Sequence, residues 1–73
     1  MSQKHRQITG RELIAILRRH GFEIDRQSGS HVIMIHGDGR RVTVPVHTGK
    51  TLGKGLLRSI LNDARLTSDD LDA

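Results

Sequence analysis

Between Phe22 and Val46 three short apolar runs are separated by two stretches of turn-forming residues, and no other feature restricts the fold as tightly. Phe22, Ile24 and Arg26 alternate with Glu23, Asp25 and Gln27, the two-residue period of a strand with one buried face. Gln27-Ser28-Gly29-Ser30 turns the chain into a second run, His31 to Ile35. His36-Gly37-Asp38-Gly39 turns it again, into Arg41 to Val46 with Val42, Val44 and Val46 on one face. Connections this short join antiparallel neighbours. Pro45 has no N–H to give to a ladder, so the third strand lies at an edge or ends there. In the second strand, His31, Ile33 and Ile35 share one face and Val32, Met34 and His36 the other. Both sets are largely apolar, and period alone leaves either as the core.

Helical signals flank these strands. Thr9 and Glu12 have the spacing of a capping box, in which each side chain accepts from the other residue's backbone N–H. Leu13, Ile14 and Leu17 then fall on one helical face, away from most of Arg11, Arg18 and Arg19, and Gly21 stops the helix after His20. Beyond the glycine-rich loop His47 to Gly55, Leu57, Ile60, Leu61 and Ala64 form a second apolar stripe. Thr67 caps a last short turn that holds Asp69 and Asp70. The expected class is α+β: one α-β-β-β-α domain over residues 9–73, preceded by a flexible tail over residues 1–8. Both helices should cover one face of a three-stranded antiparallel sheet and leave the other free.

A chain of 73 residues with one Phe and no Tyr or Trp must build its core from Leu, Ile and Val, with Phe22 as the only large ring. It has no cysteine, which fits a reducing compartment, and neither a secretory signal nor a membrane-length apolar run. The expected location is the cytoplasm. The formal charge is +4, and Asp63, Asp69, Asp70 and Asp72 concentrate the acids near the C-terminus. The remainder is more basic than the total, which suits a polyanion such as RNA and equally a solvated basic surface. Arg26, Arg40, Arg41, Lys50, Lys54 and Arg58 are the candidate phosphate contacts. With Phe22 in the core, no aromatic platform remains for stacking bases. Three strands between the helices argue against a helix-turn-helix DNA binder.

Gly21-Phe22, the Arg26-to-His31 run ending Gly-Ser-His, Val44-Pro45 with His47, Gly49-Lys50 and Leu57-Arg58-Ser59-Ile60-Leu61, in this order of elements, resemble the HicA family of toxins over roughly residues 9–71. The resemblance implies a fold similar to the double-stranded RNA-binding domain, cleavage of messenger RNA centred on His31, and neutralisation by a HicB-like antitoxin. It implies no cofactor. Two positions depart from the family pattern: Gly55-Leu56 stands where Gly-Thr is usual, and Ala64-Arg65-Leu66 where Ala-Gly-Leu is usual.

The residues themselves fit such chemistry. RNA carries its own nucleophile, so cleavage needs a base for the 2′-hydroxyl proton, an acid for the leaving 5′-oxygen and donors for the phosphorane charge. Imidazole serves both proton roles near neutral pH, without a metal. His31 follows Gly29 and Ser30, whose backbone N–H groups can meet a phosphate. His47 is the candidate for the second proton transfer. His36 belongs to the hairpin, His20 to a helix end and His5 to the tail. A metal site combining His31, His36, His47 and Asp38 matches no established ligand spacing. The alternative function is a non-catalytic RNA-binding module that keeps His31 for structure.

Overall fold

The computed structural model describes residues 7–72; His5 and most of the expected tail lie outside them. The elements run α1 (Gly10–Arg19), β1 (Phe22–Ser28), β2 (His31–His36), β3 (Arg41–Pro45), α2 (Lys54–Ala64) and a terminal 3₁₀ helix (Ser68–Asp72). This is the expected α-β-β-β-α order. β2 is central, antiparallel to β1 and β3, which form the two edges.

The capping box forms as its spacing predicts: Thr9 N–H donates to Glu12 Oε1 at 2.8 Å, and Glu12 N–H donates to Thr9 Oγ1 at 3.1 Å. The buried stripe of α1 is Leu13, Ile16 and Leu17, with Ile14 half-buried beside it. Ile8, expected in the tail, is fully buried, and its carbonyl accepts the Leu52 N–H at 2.7 Å. The folded unit therefore begins before residue 9, because an aliphatic side chain next to the cap completes the core.

The core face of the sheet carries Val32 and Met34 of β2 and Val42 and Val44 of β3. These pack in one cluster with α1 and with Ile60, Leu61 and Ala64 of α2, so both helices share that face. His31, Ile33 and Ile35 point the other way. β1 departs from the expected alternation. Ile24 pairs with Met34 but Arg26 pairs with Ile33, leaving Asp25 as the extra residue of a β-bulge. The bulge transfers Arg26 to the outer face. Ile24 remains on the inner side yet is 46% exposed, because the helices cover only Phe22 of this strand.

At the β2–β3 turn Arg40 closes one end of the molecule. Its Nε donates to both Asp38 carboxylate oxygens at 2.9–3.0 Å, its Nη1 donates to the Ala64 carbonyl, and its guanidinium lies 5.1 Å from the Phe22 ring centre. The His36 ring meets Phe22 edge-on at 5.2 Å. Hydrogen bonds from the Arg40 side chain and backbone hold the Asp38 carboxyl down at about 2. This ties α2's last turn to the hairpin.

α2 begins at Lys54 on an uncapped Gly53, so Lys54 and Gly55 belong to its first turn rather than to the loop. Its other end is at Arg65, which adopts the left-handed conformation (φ 59°, ψ 39°). Arg65 N–H donates to the Asn62 carbonyl and Leu66 N–H to the Leu61 carbonyl, at 3.0 and 2.8 Å, the two bonds of a Schellman motif. A non-glycine residue there carries a steric cost of about 1–2 kcal/mol, partly offset by its smaller unfolded-state entropy. Arg65→Gly is therefore expected to stabilise the domain by about 0.5–1 kcal/mol, raising Tm by about 2–8 °C. Thermal melts followed by circular dichroism check this; a lower Tm would mean that the arginine side chain contributes more than its backbone strain removes.

Candidate active site

Both helices start at the end of the sheet where β1 passes into β2. The start of α1 packs there so closely that a Cβ on Gly10 would collide with the Pro45 carbonyl oxygen. The chain leaving β3 then runs beside the N-terminal segment, through the Leu52–Ile8 hydrogen bond and a bridge between Thr51 and Thr9. This end gathers the candidate chemistry.

His31 is the first residue of β2, exposed on the outer face and paired with Ser28 on one side and Pro45 on the other. The loop before it has two residues. Gly29 has φ +59° and Ser30 does not share the positive φ, the pattern of a type II′ hairpin turn. Two hydrogen bonds fix this loop: Gln27 Nε2 donates to the Gly29 carbonyl at 2.9 Å, and Val46 N–H donates to the Ser30 carbonyl at 2.6 Å. A side chain at Gly29 would meet nothing within 4 Å, so the space over the turn is open. The imidazole thus has a backbone locked on both sides and an unobstructed approach.

His47 lies one residue beyond Val46 and is exposed. The Lys50 N–H donates to the His47 carbonyl at 3.0 Å, which makes these two residues the ends of one β-turn. A small cleft of about 120 Å³ links His47 to Thr9 and Arg11 at the start of α1. Spacing marks Arg11 only as part of α1's polar face; it lines the cleft because of the Gly10–Pro45 contact, a long-range approach that local spacing does not reveal.

The six candidate cations separate into groups. Arg26 lies on the outer face with His31, and Arg41 shares that face but stands 4.0 Å from the Asp25 carboxylate. Lys50 belongs to the His47 turn. Lys54 and Arg58 project one helical turn apart from α2 into a separate groove. Arg40 stands apart from the others: its side chain is only 18% exposed and is engaged by Asp38, Ala64 and Phe22 at the opposite end. His36 and Asp38 also lie there, a full strand of about 17 Å from His31. Among the described residues no three His, Asp or Glu side chains are placed to share one ion.

Electrostatically the two ends differ. Among the described residues Glu12 is the only acid where the helices begin, and its carboxylate is engaged in the α1 cap. The other acids lie on β1, in the β2–β3 turn, at the end of α2 and in the 3₁₀ helix. Among the described residues Arg11, Arg26, Lys50, Lys54 and Arg58 have no carboxylate partner. Helix N-termini add partial positive charge to the same end.

Residues 10–66, which include the hairpin, His31, His47 and both helices, match the family model described as the HicA toxin of bacterial toxin–antitoxin systems. The chain belongs to the HicA toxin family. A search of curated proteins gives no match. Membership makes this HicA protein the toxin component of a toxin–antitoxin pair, with an antitoxin as its implied partner. Its α-β-β-β-α fold is consistent with a double-stranded RNA-binding-domain-like architecture. Both departures from the family pattern, Leu56 and Arg65, fall inside the matched span, and the second leaves α2 ending where a glycine would end it. No helix among the described residues is long and apolar enough to cross a membrane.

Proposed function

We propose that this HicA toxin is a metal-independent endoribonuclease that cleaves messenger RNA in the cytoplasm and is restrained by a HicB-like antitoxin covering His31. The observation that carries the reading is an exposed imidazole on a rigid hairpin, beside open space and at the end of the molecule with unneutralised cations. His31 accepts the 2′-hydroxyl proton, the 2′-oxygen bonds to phosphorus, and the bond to the 5′-oxygen breaks. His47 supplies a proton to that leaving oxygen. The N–H groups of Gly29 and Ser30 face the phosphate charge, while Arg26, Arg41 and Lys50 hold neighbouring phosphates.

A second reading has one observation in its favour: among the described residues no side chain hydrogen-bonds to the His31 ring. A non-catalytic RNA-binding module would use the same cations. Incubating the purified toxin with RNA in the presence of a chelator separates the two. The expected products end in a 2′,3′-cyclic phosphate or its 3′-phosphate hydrolysis product, opposite a 5′-hydroxyl. Binding without cleavage would select the module; cleavage lost in chelator and restored by a divalent cation would overturn the metal-independent mechanism.

A further inference from the structure

A concavity larger than the His47 cleft is lined by none of the residues around His31. A groove of about 590 Å³ runs between α2 and the 3₁₀ helix, floored by Leu57, Leu61 and Leu66, with Lys54 and Arg58 along one wall and Thr67 on the other. Leu61 is 6% exposed and Leu57 and Leu66 are half-buried, so the floor presents parts of core side chains to the solvent.

The groove is preformed. The left-handed turn at Arg65 reverses the chain after α2, and Thr67 fixes the start of the returning segment: its N–H and hydroxyl donate to Asp70 Oδ2 at 2.7 and 3.2 Å. Those bonds lower the Asp70 carboxyl below its usual range. Leu71, buried in the core, anchors the far side.

Its charge is one-sided. Lys54 and Arg58 are both exposed, one turn apart, and among the described residues no carboxylate lines the groove. The first turn of α2 has no acidic residue, unlike α1 with its Glu12. Cations at a helix start are electrostatically misplaced unless something negative faces them. An apolar floor with a cationic wall is complementary to an α-helix that has leucine-sized side chains on one face and Asp or Glu beside them. RNA is the poorer fit. Its phosphates would engage the cations but leave three leucines without a partner, and the groove has no aromatic ring on which a base could stack.

We propose that this groove docks an acidic amphipathic helix of the antitoxin, and that Lys54 and Arg58 serve this contact rather than RNA. Lys54 starts α2 at the end of the sheet that also carries His31, although His31 stands on the opposite sheet face. The proposal rests on family membership and not on cleavage. The two readings therefore fail separately.

The test uses the full-length toxin and the purified antitoxin of the same pair, with affinity measured by calorimetry at low and high salt. Lys54→Glu combined with Arg58→Glu should weaken the complex by at least about tenfold at low salt, with the effect shrinking as salt screens the charges. The Lys54→Gln/Arg58→Gln pair should fall between, which excludes misfolding as the cause when both retain the wild-type melting curve. Arg18→Glu with Arg19→Glu, exposed on α1, should leave the affinity unchanged. An unaltered antitoxin affinity in the α2 variants overturns the proposal. If RNA affinity falls instead, the groove wall is a nucleic-acid contact; if only self-association measured by sedimentation falls, it is a contact between copies of the toxin.

Discussion

His31→Ala is expected to lower RNA cleavage by about 10²–10⁴-fold, the range supplied by one positioned general acid or base, while leaving the melting curve of the toxin unchanged. The fold should tolerate the change because the side chain is exposed on the face of β2 opposite the helices. RNA affinity should largely persist, since Arg26, Arg41 and Lys50 are untouched. The measurement is the single-turnover rate on a defined RNA, read together with circular dichroism and RNA binding. Residual activity should not depend on a chelator. A folded His31→Ala toxin that cleaves at the wild-type rate would return the imidazole to a structural role and leave RNA binding as the function.

Phe22→Ala should be the most damaging single truncation, costing about 3–5 kcal/mol. Phe22 is the only aromatic residue of the chain and is 1% exposed. It touches the helix-covered core, the His36 ring and the guanidinium of Arg40 together. Removing the ring leaves a cavity and also withdraws the surface on which Arg40 lies while it holds Asp38 and Ala64. A domain of this length has a total stability of roughly 4–11 kcal/mol, so the variant loses a large share of it. Urea denaturation should show the midpoint fall steeply, with Phe22→Leu recovering most of the loss because the volume is better conserved. A midpoint shift smaller than that of Phe22→Leu would show that the core closes over the missing ring.

How much of this was legible in the sequence depended on the distance over which each feature is decided. The α1 cap, the second helical stripe and the presence of a turn within Gln27-Ser28-Gly29-Ser30 are set by residues three or four apart, and spacing alone predicts them; pairing with β2 extends β1 to Ser28 and leaves a loop of two residues. The bulge at Asp25 is set by the pairing of β1 with β2. Nothing within β1 announces it, and a strict two-residue period puts Arg26 on the inner face instead of the outer one. Ile8 looked like tail because its partners, Leu52 and the core beneath, lie more than forty residues on in the chain or on other elements. Arg40 looked like a surface cation for the same reason: one of its acceptors is 24 residues away. The ambiguity of β2 was physical, since both its faces are largely apolar; the helices settle it by covering Val32 and Met34. At the candidate site, Gly-Ser-His located His31, whereas Arg11 entered only because α1 packs on the end of β3.

The unequal ends of the molecule matter before any contact is made. With its acids other than Glu12 placed away from the end where both helices begin, the toxin carries an electric dipole along its length as well as a net charge. In the field of a polyanion such a body turns while it is still approaching, so that the end carrying His31, His47 and Lys50 leads. The gain is in encounter rate rather than in residence time, and dissolved salt governs it by shortening the range over which the turning begins.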